Sequence, residues 1–150
     1  MPRAVVDTNV FVGSAWNATS ASRRIVEACR SGELTLVISS AIRREYDRII
    51  PRAVRRQGEL GRIEDALSRA QIVEPEEQPR VVPGDPDDDK IVAAAVAGRA
   101  DVLITNDDHL LALGEYHGVR ILRPGDFLEQ CGSGSGVLPE HRTEFRSPDT

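Results

Sequence analysis

No stretch of about 18 consecutive apolar residues occurs anywhere in the 150-residue sequence, which excludes a membrane-spanning helix. There are only two cysteines, Cys29 and Cys131, far apart and without CxxC spacing. That excludes a disulfide framework or a zinc site and leaves them as reduced thiols, as in a cytoplasmic protein. No glycine-rich turn follows the first apolar run, so dinucleotide binding is excluded. Met-Pro-Arg leads directly into that run, without the apolar region of a signal peptide. Aromatic residues make up 4% of the chain, and Lys90 is the only lysine. What remains has an ordinary globular balance, 40% hydrophobic and 29% charged. Its length suits one domain with a real core.

The net charge of −5 conceals a segregation. Residues 42–70 carry Arg43, Arg44, Arg48, Arg52, Arg55, Arg56, Arg62 and Arg69 against five acids, whereas residues 74–89 carry seven acids against Arg80 alone. The basic segment either seats phosphates or is solvated helix surface in an arginine-rich chain.

Short apolar runs alternate with helical patterns. The first run, Ala4–Val6, ends abruptly on Asp7-Thr8-Asn9. A loop is expected after Asn9, through Gly13, Trp16 and Asn17. A helix over 21–30 follows, with Thr19 or Ser20 as N-cap and Gly32 at its C-terminus. Residues 34–38 form a second strand. Ser39 and Ser40 cap a helix whose buried stripe is Ile42, Tyr46, Ile49 and Ile50, until Pro51 interrupts it. Glu45 lies on the flank of that stripe. Residues 52–70 read as helix broken near Gly58 and Gly61, and 71–74 as a third strand. Residues 75–86 form an exposed connection, and a helix starts among the acids at 85–89 and runs to Gly98. A fourth strand over 101–104 ends on Thr105-Asn106-Asp107, repeating the pattern of the first. A short helix, a fifth strand over 119–122 and a closing helix from Pro124 complete residues 1–130 as one domain. Residues 131–150, opening on Gly-Ser repeats, read as a flexible tail. The fold class is therefore α/β with a mainly parallel sheet.

Asp7 and Asp107 sit at strand ends, where chemistry collects in open parallel sheets. Asp88 lies in the first turn of a helix and Glu45 on a helix flank. Acids brought together this way stay ionised only if cations neutralise them. A ligand set of oxygens alone suits Mg²⁺ or Mn²⁺. Such ions serve in-line attack on phosphodiesters.

Four segments carry a family resemblance. They are Val6-Asp7-Thr8-Asn9-Val10-Phe11, then Ser39-Ser40 with Glu45-Tyr46, then Asp85-Pro86-Asp87-Asp88-Asp89-Lys90, and Ala100-Asp101 through Thr105-Asn106-Asp107. In this order the chain resembles the PIN-domain nucleases over about residues 3–129, and specifically the VapC-like toxins of toxin–antitoxin systems. The resemblance implies a three-layer α/β/α sandwich around five strands in the order 3-2-1-4-5. It places the four metal-site acids on Asp7, Glu45, Asp88 and Asp107. Asp88 is chosen over Asp87 and Asp89 because it stands three residues before Ile91 and seven before Ala95. Asn9, Thr105 and Asn106 match small polar positions that support the ligands, and Asp85 matches a further acid. The implied activity is Mg²⁺- or Mn²⁺-dependent cleavage of RNA. The implied partners are a cognate antitoxin, which reaches the acids with an arginine or lysine, and a second copy of the chain.

Rival readings fall on single positions. A phosphatase of the haloacid-dehalogenase type needs an acid where Asn9 stands. A response-regulator receiver needs an acceptor Asp near Pro75. A PIN-fold module that binds RNA without cutting it remains as the alternative. His109 is read as a surface cap, Asp108 as a helix-start charge, Asp101 as a strand-start acid and Asp126 as a cap. Trp16 is read as packing the loop after the first strand in preference to stacking on a base.

Overall fold

The computed structural model describes residues 2–76 and 86–132. In chain order the elements are β1 (Arg3–Val6), α1 (Thr8–Ser14), α2 (Ala21–Ser31), β2 (Thr35–Ile38), α3 (Ser40–Ala53), α4 (Gln57–Ser68) and β3 (Gln71–Ile72). Then follow α5 (Pro86–Ala97), β4 (Val102–Ile104), α6 (Asp108–Leu113), β5 (Glu115–Tyr116), β6 (Val119–Leu122) and α7 (Pro124–Gly132). The strands lie in the order β3-β2-β1-β4-β6-β5, all parallel except β5. The expected order is thus observed, with β6 as the fifth strand of the sequence reading. The addition is β5, a two-residue strand that turns antiparallel onto β6. His117 and Gly118 make that turn with φ of 50° and 85°, the positive values that a two-residue hairpin requires.

The chain winds outward from β1 through β2 to β3, then crosses back to β4 and winds the other way. A right-handed crossover therefore puts the earlier helices on one face of the sheet and α5 on the other. The contacts agree: α2 packs with α1, α4 and α7, while α5 lies against β1, β2 and β4. This is the expected three-layer sandwich. Ala4, Val5 and Val6 are fully buried between the layers, as are Leu103 and Ile104 beside them. Gly98, just past α5, permits the tight approach to β2, since a Cβ there would stand 2.4 Å from Cγ1 of Val37. Arg3 ties the same end together, its guanidinium donating to the Gly98 carbonyl at 2.6 and 2.9 Å. Its backbone N–H meets Asp101 at 2.8 Å, the strand-start role read for that acid. Cys29 is a free, buried thiol whose pKa burial pushes up to about 12, so it is neutral at physiological pH.

Three local expectations are corrected. The residues after Asp7 form α1, not a loop. Val10, Phe11 and Ser14 are buried on one side of it, and that burial outweighs Gly13 and the β-branched residues of a seven-residue helix. Helix α3 continues through Pro51 to Ala53. Ile50 and Val54, buried on either side of the proline, hold that turn, and the Val54 N–H still reaches the Ile50 carbonyl at 2.8 Å. Helix α4 runs unbroken across Gly58 and Gly61, because Ile63, Ala66 and Leu67 anchor it in the core. Burying three apolar side chains exceeds the roughly 1 kcal/mol that each glycine costs a helix. Ser20, Ser39 and Gly32 cap their helices as expected. Helix α7 runs two residues past the expected domain boundary at 130. The tail from 133 onward and most of the 75–86 connection lie outside the described residues.

Candidate active site

Strands β1 and β4 are neighbours at the point where the winding of the sheet reverses, and the Asp7 N–H extends their pairing to the Ile104 carbonyl at 2.9 Å. Their carboxyl ends therefore set Asp7 beside Thr105–Asp107. Asp7 precedes α1 but does not cap it with its side chain. Its Oδ2 instead accepts the Thr105 hydroxyl at 2.7 Å. The same Thr105 oxygen accepts the Asp107 N–H at 3.0 Å. Thr105 is fully buried, so one hydroxyl fixes the relation of the two acids. Asp107 in turn caps α6, with Oδ1 accepting the His109 N–H at 2.8 Å. The His109 ring is largely exposed beside it, in keeping with a surface role.

Glu45 enters from α3. Its Oε2 accepts the Thr8 hydroxyl at 2.5 Å, and its Oε1 stands 2.7 Å from Nζ of Lys90 on α5. The next residue, Tyr46, is buried with its hydroxyl donating to the Val6 carbonyl and its ring edge-on to Phe11, with centroids 5.2 Å apart. Helix α3 is thereby fastened to the end of β1, one residue before Asp7. Asp88 and Asp89, at the start of α5, are both buried. Ile91 and Ala95, whose phase singled out Asp88, are buried too.

The electrostatics follow from this packing. Asp7 is 8% exposed, and burial holds its carboxyl above the usual carboxylate range. The Thr105 hydroxyl and the Thr8 backbone N–H pull it down, while the negative charges of Glu45 and Asp107 push it up again. Asp7 thus senses both other acids. Among the described residues no three acids close into a metal-holding group, and Glu45 is engaged by Lys90 and Thr8.

The supporting positions divide. Thr105 touches two acids, whereas Asn9 and Asn106 are exposed. Asp85 and the Asp87 side chain lie outside the described residues. Thr8, Lys90 and Tyr46, which the sequence reading left out of the site, contact Glu45 or adjoin it. Lys90 carried a signal, as the only lysine, directly after the run of aspartates. The reading of Trp16 as packing the loop is not met: its side chain is 75% exposed and lies at the end of α1.

Lys90 and Glu45 are each less than a fifth exposed. Removing one partner from such a pair leaves a poorly solvated charge. Lys90→Met is therefore expected to lose about 1–3 kcal/mol in urea unfolding. Adding Glu45→Gln should restore most of it. Equal losses in the single and double variants would mean that the pair contributes nothing.

The fold is an α/β sandwich with two carboxylates, Asp7 and Asp107, joined through Thr105 at its topological switch point. Residues 3–109 match the model of the PIN domain, and the chain belongs to that family. Among solved structures, the fold is shared with a chain in the crystal structure of VapBC2 from Rickettsia felis bound to a DNA fragment from their promoter. The TM-score is 0.53 at 16% identity, covering 79% of this chain and 96% of that one. The curated proteins contain no match to this sequence. No helix among the described residues is long and apolar enough to cross a membrane.

Proposed function

We propose that this chain is a divalent-metal-dependent endoribonuclease, working in the cytoplasm as the toxin of a toxin–antitoxin pair. The observation that carries the reading is Asp7 at the switch point, tied through Thr105 to Asp107, with its carboxyl raised by burial first and then by the charges of Glu45 and Asp107. The donor set fits a hard cation, because it is made of oxygens and Asp7 stands close enough to Glu45 and Asp107 to be raised by their negative charge. Asp7, Glu45, Asp88 and Asp107 are the residues that would hold Mg²⁺ or Mn²⁺, with Asp88 assigned over its neighbours by helical phase. When bound, the ion supplies a lowered pKa for the attacking water and stabilisation of the leaving 3′ oxygen.

The protein's own part is to orient and exclude. Thr105 aims the Asp7 carboxylate, and Thr8 does the same for Glu45. Lys90, 2.7 Å from Glu45, fixes the second oxygen of that carboxylate and gives the scissile phosphate a cation to approach. The buried floor of the site, Val6 and Ile104, keeps bulk water from one side. VapBC2 is seen on promoter DNA, and by analogy the partner of this chain is a cognate antitoxin bound to a homodimer. A guanidinium or ammonium from that partner can span two of the carboxylates, which makes an arginine or lysine the inhibitory group.

Glu45's engagement with Lys90 favours a second reading, an RNA-binding PIN module that does not cut. The purified chain, incubated with structured RNAs and Mg²⁺, Mn²⁺ or EDTA, separates the two. Divalent-dependent products with 5′-phosphate and 3′-hydroxyl ends, together with growth arrest on expression, are expected. Tight RNA binding with no cleavage in any divalent ion would leave the binding module. The phosphatase reading is set aside, because Asn9 holds the position of the second acid it needs.

A further inference from the structure

Helices α1 and α3 leave the acid site side by side and in the same direction. Thr8, at the start of α1, meets Glu45 in the second turn of α3, and Phe11 meets the adjacent Tyr46. At their far ends Ala15 and Trp16 face Ala53, Val54, Arg55 and Arg56 across a groove of about 210 Å³. From Thr8 to Trp16 the helical rise gives roughly 12 Å. The indole, 75% exposed, lines this groove together with two exposed arginines, Arg55 and Arg56.

A row of cations leads there from the acids. Arg44, Arg48 and Arg52 are exposed and spaced by four, so they share one face of α3, beginning next to Glu45. The other arginines of the basic segment are tied down: Arg43 to Asp47 and Glu64, Arg62 to Glu27, Arg69 to Asp65. Among the described residues no ion pair holds Arg44, Arg48, Arg52, Arg55 or Arg56. Structural arginines and uncommitted ones are thus sorted onto different faces. The uncommitted row ends at the single tryptophan of the chain. Cations at intervals, closed by a flat π-face, match a strand of phosphates with a splayed base.

We propose that Trp16, Arg55 and Arg56 form a subsite for single-stranded RNA, in which the indole stacks an unpaired base while the arginines of α3 follow the backbone to the acids. The subsite lies up to about four nucleotides from the cleavage point at the spacing of a stacked strand, and fewer for an extended one. It gives the enzyme a preference for unpaired RNA on one side of the cut. The inference rests on the ribonuclease reading for its substrate, and it adds the path and the base contact.

Because Trp16 is the only tryptophan, the test reads the proposed contact directly. The full chain, in EDTA, is titrated with single-stranded oligoadenylate and with an RNA duplex of equal length. Saturable quenching by the single strand is expected, with much less by the duplex. Trp16→Ala should weaken single-strand binding about tenfold, and Trp16→Phe should recover most of the loss. Replacing Arg55 and Arg56 together by Ala should reduce the slope of log affinity against log salt by about 1.4. Unquenched fluorescence, with unchanged affinity in Trp16→Ala, overturns the subsite. If the wild type still cuts RNA in Mg²⁺, the ribonuclease reading survives that result. Absence of both binding and cutting overturns the two together. Protection of Trp16 from acrylamide only by a co-purified small protein, with no quenching by RNA, makes the groove a protein interface and also overturns the proposal.

Discussion

Asp7→Asn is expected to lower divalent-dependent RNA cleavage by well over ~10²-fold, beyond the 10–100-fold typical of residues that merely support a metal ligand. The fold should survive it. Asparagine is nearly isosteric, and its amide oxygen can still accept the Thr105 hydroxyl. The substitution also removes a buried charge that Glu45 and Asp107 repel. The melting temperature should therefore hold or rise, separating a functional loss from an unfolding one. Asp107→Asn should behave alike in activity, with less relief, because Asp107 is more exposed and caps α6. Cleavage at the wild-type rate in either variant, with native circular dichroism, would remove these acids from the mechanism.

The architecture was legible because the buried strands announce themselves. Ala4–Val6 and Val102–Ile104 are short apolar runs closed by small polar residues, and nothing but a strand covered on both faces suits that text. Alternation with amphipathic helices then dictated a parallel sheet, and the family pattern supplied its order. The elements missed were those whose stability comes from tertiary contact. Helix α1 is too short and too β-branched to read as a helix until Phe11 is seen packing on Tyr46. Strand β5 is two residues long and exists because Gly118 and a left-handed His117 turn it back on β6. Pro51, Gly58 and Gly61 are breakers by propensity that buried neighbours override.

Asp7 and Asp107 stood out for a different reason: their positions at strand ends have no packing explanation, and the structure sets them side by side. What could not be read was who holds them. Thr105's double role depends on β1 and β4 being adjacent, 98 residues apart in sequence. Lys90 reaches Glu45 only because the start of α5 comes close to α3 in the folded chain. Asn9 and Asn106 look equivalent to Thr105 in the sequence, yet they fall one residue to the outside, where neighbouring side chains point away from the core. Trp16 was read as packing a loop because the residues after Asn9 were read as one, and the turn that follows α1 carries the indole outward.

Tyr46→Ala is expected to be the most costly single change to stability, about 3–5 kcal/mol, the range for emptying a large aromatic from a packed core. The ring is fully enclosed, and its edge contact with Phe11 joins α3 to α1. The loss should exceed mere volume, because the hydroxyl also satisfies the Val6 carbonyl at the very end of β1. Tyr46→Phe keeps the ring and removes only that bond, so it should cost about 1 kcal/mol and leave a folded protein for assay. Burial pushes the phenol's pKa well above its ordinary value, so it stays a neutral donor at working pH. The bond it makes positions the backbone one residue from Asp7 and one residue from Glu45 simultaneously. Cleavage should consequently fall in Tyr46→Phe by more than its small stability loss explains, with substrate affinity little changed. Urea unfolding and steady-state cleavage measured on the same preparations decide it. A Phe variant with wild-type turnover would show that the sheet alone sets the distance between the two acids, and an Ala variant within 1 kcal/mol of wild type would show that the core closes over the gap.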